Sequence, residues 1–372
     1  MKKLCNLNVK INFKKYDCTF ILIICLFIIF GSFMVFSSSN IMAYIKWNKP
    51  YKFFIKQIFC IIIGFVAMFI TSFLIDCKFY KKNIKFIYLL SLILVICVLF
   101  IGVSQSGSKR WLNMIFFTIQ PSEFAKISVV LIMSNFISKG KAILKSKKTF
   151  TVLMIEVFLI LIPIIMEPDL GTPILILITC FAMMFYVGVN KRKMLLVSIF
   201  VILLIMEETI RKPYRLIRFK NFFLSFININ LSSYQIKQSI NAVGSGGFFG
   251  KGLGKSEMKF MYIPESHTDF IFSVIGEELG FIGVNLVLLF FVYFFLKGIK
   301  ISKSTPDIFL KYLCLGITFI IVFQAIINIS VTIGILPTKG LTLPFISFGG
   351  TSIVTNMMIT GILINLSQYT KK

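Results

Sequence analysis

Ten apolar runs of roughly 17 to 28 residues follow one another along the chain, each long enough to cross a hydrocarbon layer about 30 Å thick. Such a pattern leaves few folds open. The chain reads as an all-α polytopic integral membrane protein with about ten transmembrane helices, expected near 19–36, 53–75, 84–103, 121–138, 149–166, 173–189, 194–209, 268–296, 308–335 and 345–367. A composition of 57% hydrophobic residues agrees, since soluble domains hold roughly 45 to 50%.

The net charge of +26 suggests nucleic acid until the basic residues are placed. They collect at alternate ends of the spans: before the first, at Lys78 to Lys85, Lys139 to Lys148, Lys191 to Lys193 and Lys297 to Lys311, and at Lys371 and Lys372. That asymmetry marks a cytoplasmic face holding both termini, and it argues for a membrane and against a nucleic-acid partner. Residues 1–18 read as a basic cytoplasmic tail and not as a cleaved signal, because the first span is too long for a signal core and no small-residue cleavage site follows. Residues 1–372 then form a single transmembrane domain in the cytoplasmic membrane. Its one sizeable soluble element is a large extracytoplasmic loop, 210–267, between helices seven and eight.

Within that loop, Ser233 to Val243 has the pattern of a short amphipathic helix, and Gly244 to Gly254 is a glycine-rich turn region. A phosphate-binding P-loop fails on spacing: Gly254-Lys255-Ser256 has Phe249 where the leading glycine belongs. The eight cysteines include no Cys-x-x-Cys pair, and His267 is the single histidine, so neither a disulfide framework nor an imidazole-based metal site is expected. A divalent ion would use carboxylates and substrate phosphates, as Mg2+ or Mn2+ do.

Of fourteen acidic residues, only Asp17, Asp76 and Asp307 fall on the expected cytoplasmic side, and Glu156 lies within a span. The other ten favour the outer ends, so the chemistry is expected to face outward. Gly107-Ser-Lys-Arg-Trp111 precedes the fourth span and Gln120-Pro-Ser-Glu-Phe-Ala-Lys126 opens it, with Glu123 and Lys126 three residues apart on one helical face. They serve either a site or an internal ion pair. Glu167-Pro-Asp-Leu-Gly-Thr-Pro173 is a turn in which Asp169 is placed to cap the next helix. Pro337 to Gly350 is a Pro/Gly-interrupted entry to the last span, and irregular backbone at that depth suits a cavity lined by Lys339. Pro264-Glu-Ser-His-Thr-Asp269 leads into Gly276-Glu-Glu-Leu-Gly280, which puts Asp269 and Glu277 about 80° apart around a helix and ~12 Å along it. A carboxylate at a helix mouth beside hydrocarbon calls for a partner or a wet site, so Asp269 is the candidate catalytic residue. Arg110, Trp111, Glu123, Lys126, Asp169, His267, Glu277 and Lys339 are the substrate-binding candidates.

These five ordered segments resemble the signatures of the SEDS (shape, elongation, division and sporulation) family, and the Thr-Lys-Gly-Leu-Thr-Leu-Pro version is more similar to its division branch than to its elongation branch. Phe348 stands where family members often carry tyrosine. The resemblance implies a peptidoglycan glycosyltransferase that polymerises lipid II on the outer face of the cytoplasmic membrane, at the division septum. Its implied partners are a class B penicillin-binding transpeptidase and other divisome proteins. In that reaction Asp269 would be the base or would hold Mg2+ or Mn2+, with Arg110, Lys126 and Lys339 offsetting charge on a departing diphosphate. A lipid II flippase or transporter is the alternative.

Overall fold

The computed structural model of the protein describes residues 16–370 apart from 106–107, 115–117, 141–145, 168, 212, 226–232 and 258–265. The basic tail as far as residue 15, Glu265, Lys371 and Lys372 therefore lie outside the described residues.

Asp17 accepts the Phe20 amide at 3.1 Å and starts α1 (Cys18–Trp47), and Asn48, at φ 53°, stops it. The helix runs past its expected end at 36 because the serines that interrupt its hydropathy are satisfied inside the protein. Ser38 and Ser39 donate back to the Val35 carbonyl, and Ser37 donates to Glu278 at 2.7 Å. Next come α2 (Lys52–Phe69) with a π turn (Ile70–Leu74), α3 (Cys77–Lys82) and α4 (Ile84–Ile101). A small antiparallel sheet follows, β1 (Val103–Gln105), β2 (Ser108–Asn113) and β3 (Thr118–Ile119), in the order β1-β2-β3. It is the described departure from an otherwise all-α chain.

Pro121 opens α5 (Pro121–Ser138) at a position where its missing N–H costs nothing. Then follow α6 (Lys147–Met166), α7 (Gly171–Val187), α8 (Lys191–Arg211), α9 (Pro213–Ser225), α10 (Tyr234–Ser245), α11 (Ile271–Ser304), α12 (Ile308–Thr332) and α13 (Gly350–Leu366). Among the described residues ten of these helices have 17 or more residues, and they fall on the ten expected spans. Seven are both long and apolar enough to cross a membrane; α5, α7 and α8 are shorter or more polar. Helices α5, α12 and α13 are buried on most sides and form the centre, whereas α2 turns Ile55, Phe59, Ile62 and Val66 outward, an apolar stripe suited to lipid.

The predicted amphipathic helix at Ser233 to Val243 is α10, which begins directly after Ser233, while α9 occupies a stretch read only as loop. The glycine-rich turn closes on a break in α11. Gly280, at φ 61° and ψ −154°, interrupts that helix, and the loop supplies the lost partners: Lys251 N–H donates to Glu277 O at 2.9 Å, Gly252 N–H to Glu278 O at 3.0 Å, and Phe281 N–H to Gly247 O at 2.9 Å. A side chain on Gly280 would lie 2.3 Å from Gly250 N, so both the φ and the approach require glycine.

Candidate active site

Asp269 lies in the turn that leads into α11, and its backbone is sewn to two other elements. Asn328 of α12, 2% exposed, donates from Nδ2 to the Asp269 carbonyl at 2.9 Å and to the Leu341 carbonyl at 2.7 Å. Ser347 donates to Thr268 O at 2.6 Å, and Phe348 N–H donates to His267 O at 2.9 Å. The irregular segment before α13 thus holds the Asp269 turn. It is itself fixed by Phe345, whose φ of 66° is uncommon for a bulky residue and whose ring packs between Phe290 and Phe294.

Gly340 marks where the chemistry converges. A methyl group built on it would lie 3.3 Å from Arg110 Nη1 and 3.6 Å from Asp269 Oδ2, so a guanidinium from β2 and a carboxylate from the α11 turn flank the same bare backbone. Lys339 is the adjoining residue, half-buried, and desolvation pushes its ammonium down to about 8. Trp111, next to Arg110 on β2, pairs with Val103 of β1.

The turn between α6 and α7 reaches the same place. A methyl group on Gly171 would lie 2.9 Å from Leu341 Cγ, one residue beyond Gly340. Asp169 spends its carboxylate on α7: Oδ1 accepts the amides of Gly171 and Thr172 at 3.0 and 3.3 Å, and Oδ2 accepts the Thr172 hydroxyl at 2.8 Å. Its expected capping role is present. Glu167, two residues earlier, is 2% exposed, and neither of its carboxyl oxygens has a hydrogen-bond partner among the described residues. Burial pushes it up to about 9; Asp169 adds to the shift and the Arg110 guanidinium opposes it. Glu167 and Asn328 were not singled out as site residues from sequence, although a glutamate at a proline turn and an amide inside an apolar span were both visible signals.

Lys126 and Glu123 sit one shell behind. They pair at 2.8 Å, 2% and 5% exposed, and Lys126 also donates to Gln324 Oε1 at 2.8 Å. Gln324 Nε2 in turn donates to the Thr342 carbonyl at 2.9 Å, and Thr355 donates to Glu123 at 3.0 Å. The internal ion pair is therefore real, and it reaches the irregular segment through Gln324. Glu277 does not share a surface with Asp269. Fully buried, it accepts from Lys251 Nζ at 2.9 Å, from the Ser256 hydroxyl and from the Glu257 amide, which clasps the glycine-rich loop. His267 packs its ring against Phe53 and Phe348, at centroid distances of 4.4 and 5.5 Å, and desolvation holds its imidazole down to about 4. Among the described residues no group of three or more His, Cys, Asp or Glu side chains gathers as a metal site.

Residues 17–372 match the FtsW/RodA/SpoVE family, described as cell cycle proteins. The chain is 35% identical over 358 residues to stage V sporulation protein E of Bacillus subtilis, covering 95% of this chain and 98% of that one. It is 38% identical over 341 residues to the probable peptidoglycan glycosyltransferase FtsW of Buchnera aphidicola subsp. Schizaphis graminum, covering 90% and 95%. Two solved structures share the fold at 22% identity. One is a chain from work on polymerization and crosslinking by a peptidoglycan synthase complex, with a TM-score of 0.76 over 95% of this chain and 97% of that one. The other is the rod shape determining protein RodA of Thermus thermophilus, with a TM-score of 0.71 over 96% and 98%.

Proposed function

The chain belongs to the FtsW/RodA/SpoVE family of cell cycle proteins and is a peptidoglycan glycosyltransferase, and we propose that it polymerises lipid II into β-1,4 glycan strands at the division septum, with Asp269 as the base. The observation that carries this assignment is the meeting of Asp269 and Arg110 at Gly340, beside Lys339. The 4-hydroxyl of the incoming GlcNAc gives its proton to the Asp269 carboxylate, and its oxygen attacks C1 of the MurNAc on the growing strand. The bond from C1 to the diphosphate oxygen breaks with inversion, and the polyprenyl diphosphate departs with the electron pair. General-base help of this kind contributes typically 10² to 10⁴ in rate. Arg110 and Lys339 offset the charge on the diphosphate. Lys126, bound to Glu123 and Gln324, supports the segment carrying Lys339.

As the alternative to its role as base, Asp269 would hold Mg2+ or Mn2+, ions that need only one or two protein carboxylates when substrate phosphates supply further ligands. Bound there, the ion would neutralise diphosphate charge. The site faces outward in this reading and both termini are cytoplasmic, as the basic ends of the spans favour. The partner is a class B penicillin-binding transpeptidase within the divisome, a reading supported by the synthase complex whose chain shares this fold.

Purified protein incubated with labelled lipid II, with and without that transpeptidase, is expected to yield glycan strands in at least one arm. Translocation of lipid II across vesicles without polymer in either arm would replace the glycosyltransferase with a transporter.

A further inference from the structure

Glu167 has no part in the chemistry above, yet its position is unusual for a carboxyl group. It caps the C-terminal end of α6, its own amide donating to Pro163 O and Ile164 O at 3.1 and 3.2 Å, so the helix presents carbonyls where an anion is disfavoured. Asp169, two residues on, sits at the opposite kind of terminus and is consumed by the amides of α7. Glu167 is 2% exposed with both carboxyl oxygens unpartnered among the described residues, on a turn packed through Gly171 against Leu341. The charged groups that face it are Asp169 from its own turn and Arg110 from β2, the residue that reaches Gly340 and Asp269. An unsatisfied buried acid is costly, and its partner is expected to arrive from outside the protein.

We infer that Glu167 is a substrate-binding residue that acts as a neutral carboxylic acid, donating its O–H to an anionic diphosphate oxygen drawn in by Arg110. The proton stays on Glu167 throughout, and no bond to it forms or breaks. A neutral donor beside a guanidinium adds a directional contact without adding negative charge, which a carboxylate in the same place would do. The inference rests on the glycosyltransferase reading.

The test compares Glu167→Gln and Glu167→Leu with the parent in the lipid II polymerisation assay, with thermal stability read on the same preparations. Glu167→Leu is expected to be at least as stable as the parent, because it removes an unsatisfied polar group, and to lose about 100-fold in polymerisation, as loss of one site donor does. Glu167→Gln, which keeps a donor and cannot ionise, is expected to recover most of that loss. It should also shed the part of any fall in activity toward pH 9 that comes from Glu167, leaving the part that comes from Lys339. Equal activity in Glu167→Leu and the parent would overturn the inference, as would Glu167→Gln no better than Glu167→Leu. Absence of polymer from the parent itself would instead sink the reading on which the inference rests.

Discussion

Two stretches eight residues apart along one chain segment use carboxylates in opposite ways. Around Asp269 the structure is fixed through the backbone: Asn328, Ser347 and Phe348 hold carbonyls of the turn, and the carboxylate is left beside Arg110 and the bare backbone of Gly340. At Glu277 and Glu278 the side chains themselves do the fixing, taking Lys251, Ser256 and the Glu257 amide in one case and Ser37 with the Ser256 amide in the other. A buried carboxylate is therefore not evidence of catalysis by itself. What separates the two is whether the fold needs the charge or only the backbone that carries it.

That distinction breaks most visibly at the charges the fold needs. Lys126→Met leaves Glu123 buried at 5% exposure against an apolar neighbour, and the expected loss of stability is roughly 3 to 5 kcal/mol. Thermal unfolding of the purified variant measures it, and the double variant with Glu123→Gln should recover a large part. An unchanged melting temperature would show that the pair contributes nothing to the bundle. Glu277→Gln should cost less, about 1 to 3 kcal/mol, because Lys251 is partly exposed and can turn to water. Its signature is faster proteolysis in the glycine-rich loop with polymerisation by the intact fraction retained, and polymerisation lost at full stability would move Glu277 into the site.

Gly340→Val sharpens the other half of the comparison. The added side chain enters the space between Arg110 Nη1 and Asp269 Oδ2, so the expected outcome is a loss on the order of 10² in polymerisation from misplacement of the reacting groups, at near-parental stability. Full activity would mean that substrate passes elsewhere.

The last effect is read as a slope against pH. Glu167 keeps its proton in the folded state up to about 9, whereas the unfolded chain releases it near 4.5, so over that window the folded state binds more protons and stability falls as pH rises. Glu167→Gln should flatten the slope of melting temperature against pH between those values. An unaltered slope would show that Glu167 is ionised in the folded protein.

The spans were legible because hydropathy is local and additive, and every expected one meets a helix. The extension of α1 past 36 was not, because it depends on Ser37 finding Glu278, a partner far along the chain. The short strands that carry Arg110 and Trp111 give no period long enough to read beside an apolar helix, and the sheet therefore lay hidden. Asp269, Arg110 and Lys339 were visible as charges at the ends of apolar runs. Their meeting at Gly340 was not, since a glycine's value as empty space depends on what the fold brings around it. Glu277 is a similar case: helical spacing sets it about 80° and ~12 Å from Asp269, and the loop that occupies it returns from elsewhere in the chain.

The central claim, that the fold needs the Asp269 backbone and the reaction needs its carboxylate, is tested most directly by Asp269→Asn. The substitution is nearly isosteric, leaves the carbonyl bonded by Asn328 in place, and removes only the charge. Melting temperature and lipid II polymerisation are measured on the same preparation. The account predicts a protein as stable as the parent with polymerisation reduced about 10² to 10⁴-fold. Polymerisation at the parental rate would contradict it, and so would a loss of stability of the size expected for a broken buried ion pair.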